Sequence, residues 1–262
     1  MSIKPRFKFS KQFSGSIWNT LAIPKTSLLL VETRDDKNFV TKFSALDYQT
    51  EKFVWEDVTF KESWWIGFTA ASPHTVLFHT YVNRANPDHK NLIAYDIFDQ
   101  KIRWEVEEFS FMDWNESVIW GYHTEKDIIP ATISLETGRM TEQQWVGEPI
   151  QTGLDMHKPV RYLEGTPHFG TVKKFIYQKA PYSIVMGVEY LEWKNWIVVS
   201  VYHQQGDKLA NYLLVFDQDG ELLMEEKLGE NLTGLGTDTF FILSGCLILV
   251  KNRTELVVYT YG

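Results

Sequence analysis

Four apolar runs set the pattern of the chain: SLLLVET from Ser27, TVLFHTYV from Thr75, SVIWGYH from Ser117 and WIVVSVYH from Trp196. Each is rich in Val, Leu or Ile, short, and bounded by polar residues, which predicts strands buried on both faces. A second apolar segment precedes each run: SIWNTLAI, WWIGFTA, FSFMDW and SIVMGVEYL. A third feature follows each run, an alternating strand–polar turn–strand line. ALDYQTEKFVWE starts at Ala45 and AYDIFDQKIRWE starts at Ala94, 49 residues later, with Ala, Asp, Lys, Trp and Glu at the same offsets. ISLETGRMTEQ and VFDQDGELLMEE are weaker copies, the latter one residue shorter in its turn. The Asp of each line is expected to cap its turn by accepting backbone N–H bonds.

Four antiparallel strands per unit, with the first repeats spaced 49 and 38 residues apart, predict an all-β fold of β-propeller type. The segment CLILVKNRTELVVYTYG supplies two strands and then stops, while RFKFSKQF near the start is a strand without a neighbour. The N-terminal strand is therefore expected to complete the C-terminal blade, leaving no open sheet edge. Ser134 and Asp217 lie 83 residues apart, one blade plus an insertion or two blades. The expectation is one domain over 1–262 with five blades, six being the alternative. The stretch 146–181 is then an insertion or degenerate blade, carrying a hairpin from VRYLEG to GTVKKFIYQ.

The line ALDYQTEKFVW resembles the quinoprotein-like propeller repeat, Ala-x-Asp-x-x-Thr-Gly-Lys-x-x-Trp. Ala45, Asp47, Thr50, Lys52 and Trp55 match, with Glu51 in place of Gly; Ala94, Asp96, Lys101 and Trp104 match in the second copy, and Thr137, Gly138 and Arg139 in the third. The resemblance implies that Trp55 and Trp104 pack between neighbouring blades. It is a likeness of fold and does not extend to the quinone. The whole chain also resembles small uncharacterised bacterial propeller families, a likeness that implies no activity. No cofactor is expected.

Composition sharpens this picture. Ten Trp, 12 Tyr and 17 Phe against nine Ala favour strands over helices. A net charge of −8 disfavours nucleic acid as a partner. The single cysteine, Cys246, sits in the apolar run SGCLILV and reads as a small buried hydrophobe. It forms no intramolecular disulfide, consistent with a reducing compartment. No secretory leader or membrane-length apolar run is visible, so a cytoplasmic location without membrane association is expected.

Candidate chemistry falls in three places. The stretch 146–181 holds Lys158, Arg161, Lys173, Lys174 and Lys179 against Glu148, Asp155 and Glu164, a surplus of two positive charges on an acidic chain. It predicts a surface for an anionic or protein partner, although such segregation also arises where a segment merely packs on acidic neighbours. His79, His123 and His203 fall at strand ends without the close spacing of metal ligands, so no metal is expected. Trp64 and Trp65, with Asp113, Glu189 and Asp238, are candidates for the central channel. There the alternative function, a glycosidase-like enzyme, would need two facing carboxylates and could use the aromatic rings as sugar platforms. The leading expectation is a non-catalytic binding or scaffold module whose ligand is a protein or an anionic or carbohydrate molecule. Lys158, Arg161, Lys173, Lys174, Trp64, Trp65, His123 and His203 are its candidate contacts.

Overall fold

The computed structural model describes residues 3–83, 86–125, 127–141 and 153–262. β1 (Pro5–Gln12) opens the chain. One compact unit then runs from Gly15 to Leu154; the other joins Met1–Ser14 to Asp155–Gly262. All sheets are antiparallel meanders of consecutive strands, with few exceptions noted below.

Among the described residues the continuous unit holds three four-stranded sheets. The first is β2 (Ser16–Ala22), β3 (Leu28–Asp35), β4 (Val40–Asp47) and β5 (Lys52–Val58). The second is β6 (Ile66–Ala71), β7 (Thr75–Asn83), β8 (Asn86–Asp96) and β9 (Lys101–Val106). The third is β10 (Phe109–Trp114), β11 (Val118–His123), β12 (Ile129–Ser134) and β13 (Met140–Thr141). Alternation along the strands sends side chains to both faces. Leu30, Phe43 and Trp55 meet Phe68, Phe78 and Tyr95 in one apolar layer. Leu77, Leu92 and Ala94 meet Phe109, Ile119 and Ile133 in the next.

The repeated line earns its residues at the turn. Asp47 Oδ1 accepts from the Gln49 and Thr50 amides at 2.9 and 3.1 Å, and Asp96 Oδ1 from Phe98 and Asp99 at 2.9 and 2.8 Å. Ser134 Oγ accepts from Thr137 at 3.3 Å, and Asp217 Oδ1 from Asp219 and Glu221 at 3.0 and 2.9 Å. Burial alone would raise the Asp96 carboxyl; the Asp99 amide, the Arg103 guanidinium and the Phe98 amide outweigh it and hold it below the usual carboxylate value. Four residues after the capping residue the backbone turns left-handed, with φ of 65° at Glu51, 53° at Gln100 and 71° at Gly138. This is where the resembled signature carries Gly, the residue that adopts such a φ without strain.

Among the described residues the discontinuous unit holds two sheets and a helix. β15 (Val160–Leu163), β16 (Ile184–Trp193), β17 (Trp196–Gln205), β18 (Lys208–Phe216) and β19 (Leu222–Leu232) form one. The other runs in the order β1, β22 (Glu255–Tyr261), β21 (Cys246–Lys251), β20 (Phe240–Leu243), β14 (Met156–His157). The N-terminal strand thus pairs with the last, from Pro5 opposite Tyr261 to Gln12 opposite Glu255. Trp196, Val198, Leu213 and Val215 pack with Phe240, Ile242, Leu247 and Leu249 between the two sheets. Cys246 is buried and free, and burial pushes its thiol pKa up, as suits a packing residue.

The stretch 146–181 departs from the expected hairpin. Residues 146–152 lie outside those described. VRYL is β15, but it pairs with β16, and Pro167–Lys179 is an α-helix, α1. Thr166 caps it, accepting from the Phe169 amide, and Pro167 fits the first turn, where its missing N–H costs nothing. Phe169, Val172 and Ile176 recur at helical spacing and are buried against Ile184, Val199, Val201 and Phe216. That burial, roughly 1.5–3 kcal/mol per side chain, overrides the strand preference of Val, Phe, Ile and Tyr. No helix among the described residues is long and apolar enough to cross a membrane.

Candidate functional site

Gly15 lies so close under the Arg34 carbonyl that a Cβ there would sit 2.9 Å from its oxygen. This tight edge of the first sheet carries the most developed polar cluster of the continuous unit. Arg34, near the end of β3, points its guanidinium at the buried Glu32, with Nε and Nη2 each 2.8 Å from Oε1. Its remaining donors reach the Trp64 carbonyl at 3.4 Å and the Ile66 carbonyl at 3.1 Å. Trp18 and Trp64 flank the guanidinium, their centroids 4.9 and 5.2 Å from Cζ. Phe39 meets Trp64 edge-on, 5.3 Å between centroids. Trp18 is the extra residue of a bulge in β2, which turns its ring outward. It is 67% exposed and Phe39 60%, far more than rings of this size usually leave in water.

The cluster continues into the second sheet. Gly67 separates Glu32 from His79: a Cβ there would meet His79 Cε1 at 3.1 Å and Glu32 Oε2 at 3.4 Å. His79 Nδ1 shares a 2.8 Å hydrogen bond with the Thr69 hydroxyl, and its ring meets Tyr81 edge-on at 5.2 Å. Burial, then the positive charges of Lys90 and Arg34, push the imidazole pKa down to about 4, so it is neutral at pH 7. Burial raises the Glu32 carboxyl, against the lowering influence of Arg34.

The sequence candidates are scattered by comparison. Trp64 joins the cluster, and Trp65 lies beside it, edge-on to Tyr81 at 6.1 Å. His123 stands 3.9 Å from Glu125, and His203 contacts the Ser183 carbonyl at 3.2 Å. No group of three metal-ligating side chains occurs among the described residues. The cations of 153–181 are largely spent within the unit. Lys158 pairs with Asp238 at 3.1 Å, Lys173 with Glu164 at 3.8 Å, and Arg161 with Glu189 at 3.0 Å; Lys174 is exposed.

Of the three carboxylates expected in a channel, Glu189 is buried and fully engaged. It accepts from Arg161, from the Asp238 and Thr239 amides at 2.9 and 3.1 Å, and from the Thr239 hydroxyl at 2.6 Å. Arg161 also donates to the Gly236 carbonyl, and Tyr202 accepts from the Gly236 amide at 2.7 Å. This network ties β15, β16 and β17 to the segment leading into β20. Asp238 is exposed, and Asp113 Oδ1 accepts from the amide of Trp114 at 2.8 Å. Local alternation puts a carboxyl on a strand face but carries no trace of a guanidinium 28 residues earlier. Nor does it show that Arg34 collects one tryptophan from β2 and another from the connection before β6.

The family described as a domain of unknown function (DUF4905) matches residues 22–104, which include Arg34, Phe39, Trp64 and His79. No curated protein matches the chain. Solved structures similar to it include BamB from Moraxella catarrhalis, 10% identical over 98% of this chain and 100% of that one, with a TM-score of 0.32. Kluyveromyces lactis Hsv2 is 14% identical over 95% and 75%, with a TM-score of 0.31. The β-propeller domain of the Trilobed protease from Pyrococcus furiosus is 9% identical over 89% and 75%, with a TM-score of 0.30. Likenesses of this order carry no argument about activity or partner.

Proposed function

We propose that the chain is a non-catalytic β-propeller of quinoprotein-like repeats, its sheets the blades, and that it binds a protein partner through Trp18, Phe39 and Trp64. The observation that carries this reading is the arginine held between two indoles. Arg34 is fixed by Glu32 and two backbone carbonyls, so the rings on either side of it are held in place before any partner arrives. Binding then costs little side-chain ordering, and Trp with Arg is the composition of interface hot spots. Asp35, Asp36 and Glu62 lie next to these residues in sequence, so the preferred partner segment presents an apolar side chain flanked by Lys or Arg. The glycosidase alternative loses support because Glu189 has no lone pair left for a sugar or a water.

A photo-crosslinking residue at position 39 tests the reading, with the same group at Tyr177, 79% exposed on α1, as the control. The expected result is a crosslinked protein specific to position 39 that disappears in Trp18→Ala. Equal crosslinking from both positions, or an unchanged product in folded Trp18→Ala, overturns it.

A further inference from the structure

Between the second and third sheets the apolar layer does not close. Phe68, Leu92, Phe109 and Phe111 wall a cavity of about 230 Å³. Thr69, His79 and Lys90 stand in the same wall. Register explains the arrangement: Leu77, His79 and Tyr81 face Ala94, Leu92 and Lys90 across β7 and β8, so polar groups replace apolar ones along a single face.

Thr69 and His79 bond to each other, and Lys90 stands apart from that pair. Lys90 is half-buried, its ammonium lies 5.1 Å from the centroid of the Tyr81 ring, and no carboxylate among the described residues pairs with it. The nearby acids are engaged elsewhere, Glu32 with Arg34 and Glu108 with His89 at 3.1 Å. An ammonium at a cavity wall without a counter-charge favours an anion beside it. Neutral His79 and the Thr69 hydroxyl add hydrogen-bonding groups and no charge. The aromatic wall favours an apolar body, and the volume admits only a small one.

We propose that this cavity binds a small organic monocarboxylate with an aromatic or branched apolar body. The carboxylate pairs with Lys90 and the body lies among Phe68, Phe109 and Phe111. The site is distinct from the protein-binding surface, and either can fail without the other.

Calorimetric titration with benzoate, cyclohexanecarboxylate and the neutral isostere benzamide tests it, together with the NMR signal of the His79 ring. Both carboxylates are expected to bind saturably, to shift His79, and to bind at least about tenfold more tightly than benzamide, as a charge-assisted contact requires. Lys90→Met should bring benzoate down to the level of benzamide, Lys90→Arg should retain most of the preference, and Phe111→Ala should weaken both ligands together. Equal affinity for benzoate and benzamide, benzoate binding unchanged in folded Lys90→Met, or no saturable binding to the folded wild type at millimolar ligand overturns the proposal.

Discussion

The Trp104 indole donates to the Leu135 carbonyl at 3.0 Å, so the tryptophan that closes the second sheet is bonded to the repeated turn of the third. Trp55 holds the matching place in the first sheet and packs edge-on against Tyr95 at 5.8 Å, but its Nε1 is buried without a partner. Truncating Trp55 to Ala should cost roughly 3–5 kcal/mol in urea unfolding, as for other buried rings. Phe at position 55 removes the unpaired N–H and should be much milder. Phe at position 104 strands the Leu135 carbonyl, and should cost about 1 kcal/mol more than Phe at position 55.

The left-handed turn position separates the three repeats. Gly138 sits at φ 71° under Trp104, where a Cβ would lie 2.6 Å from the ring Cγ. Gly138→Ala should therefore destabilise by more than about 1 kcal/mol through both strain and overlap. Glu51→Gly and Gln100→Gly relieve strain at the same φ and should be neutral or stabilising by up to about 1 kcal/mol. Midpoint shifts in urea of the opposite sign would refute this account of the turn.

Arg34 and Trp18 should part company in stability measurements. Arg34→Met leaves the buried Glu32 without its counter-charge and should cost about 3–5 kcal/mol. Trp18→Ala removes one exposed ring over the guanidinium and should cost no more than about 1 kcal/mol.

Acid should weaken the protein through His79. Its pKa falls from 6.5 to about 4 on folding, so between those values the unfolded state holds the extra proton. Stability is complete above 6.5 and declines as pH drops toward 4, by roughly 2–3 kcal/mol for this group. Glu32 acts in the opposite sense, since a raised carboxyl binds its proton earlier in the folded state. Unfolding free energies of wild type and His79→Gln across that range check the sign. The variant should lose less stability on acidification.

Much of this fold is written locally. The hairpin pairs, the Asp caps and the buried faces follow from alternation and from the repeated turn, because each depends on residues within one hairpin. The segment of helix α1 reads as a strand because Val172, Phe175, Ile176 and Tyr177 favour strands; Thr166-Pro167 and the spacing of Phe169, Val172 and Ile176 hold the opposing signal. The candidate site was legible only as single tryptophans. Arg34 meets Trp64 across 30 residues, and Lys90 meets Phe109 and Phe111 only where two sheets face each other. No periodicity within a strand encodes such meetings.

The pairing of Pro5–Gln12 with Glu255–Tyr261 also dictates a schedule. During synthesis the first strand leaves the ribosome long before its neighbour is translated. The unit from Gly15 to Leu154 has all its strands early and is able to fold while the rest is still being made. The strand Pro5–Gln12 must wait, its backbone paired only with water, until Glu255–Tyr261 has been made. Until Glu255–Tyr261 emerges, Pro5–Gln12 is therefore open to chaperones and to wrong pairings, a hazard that the completed ladder removes.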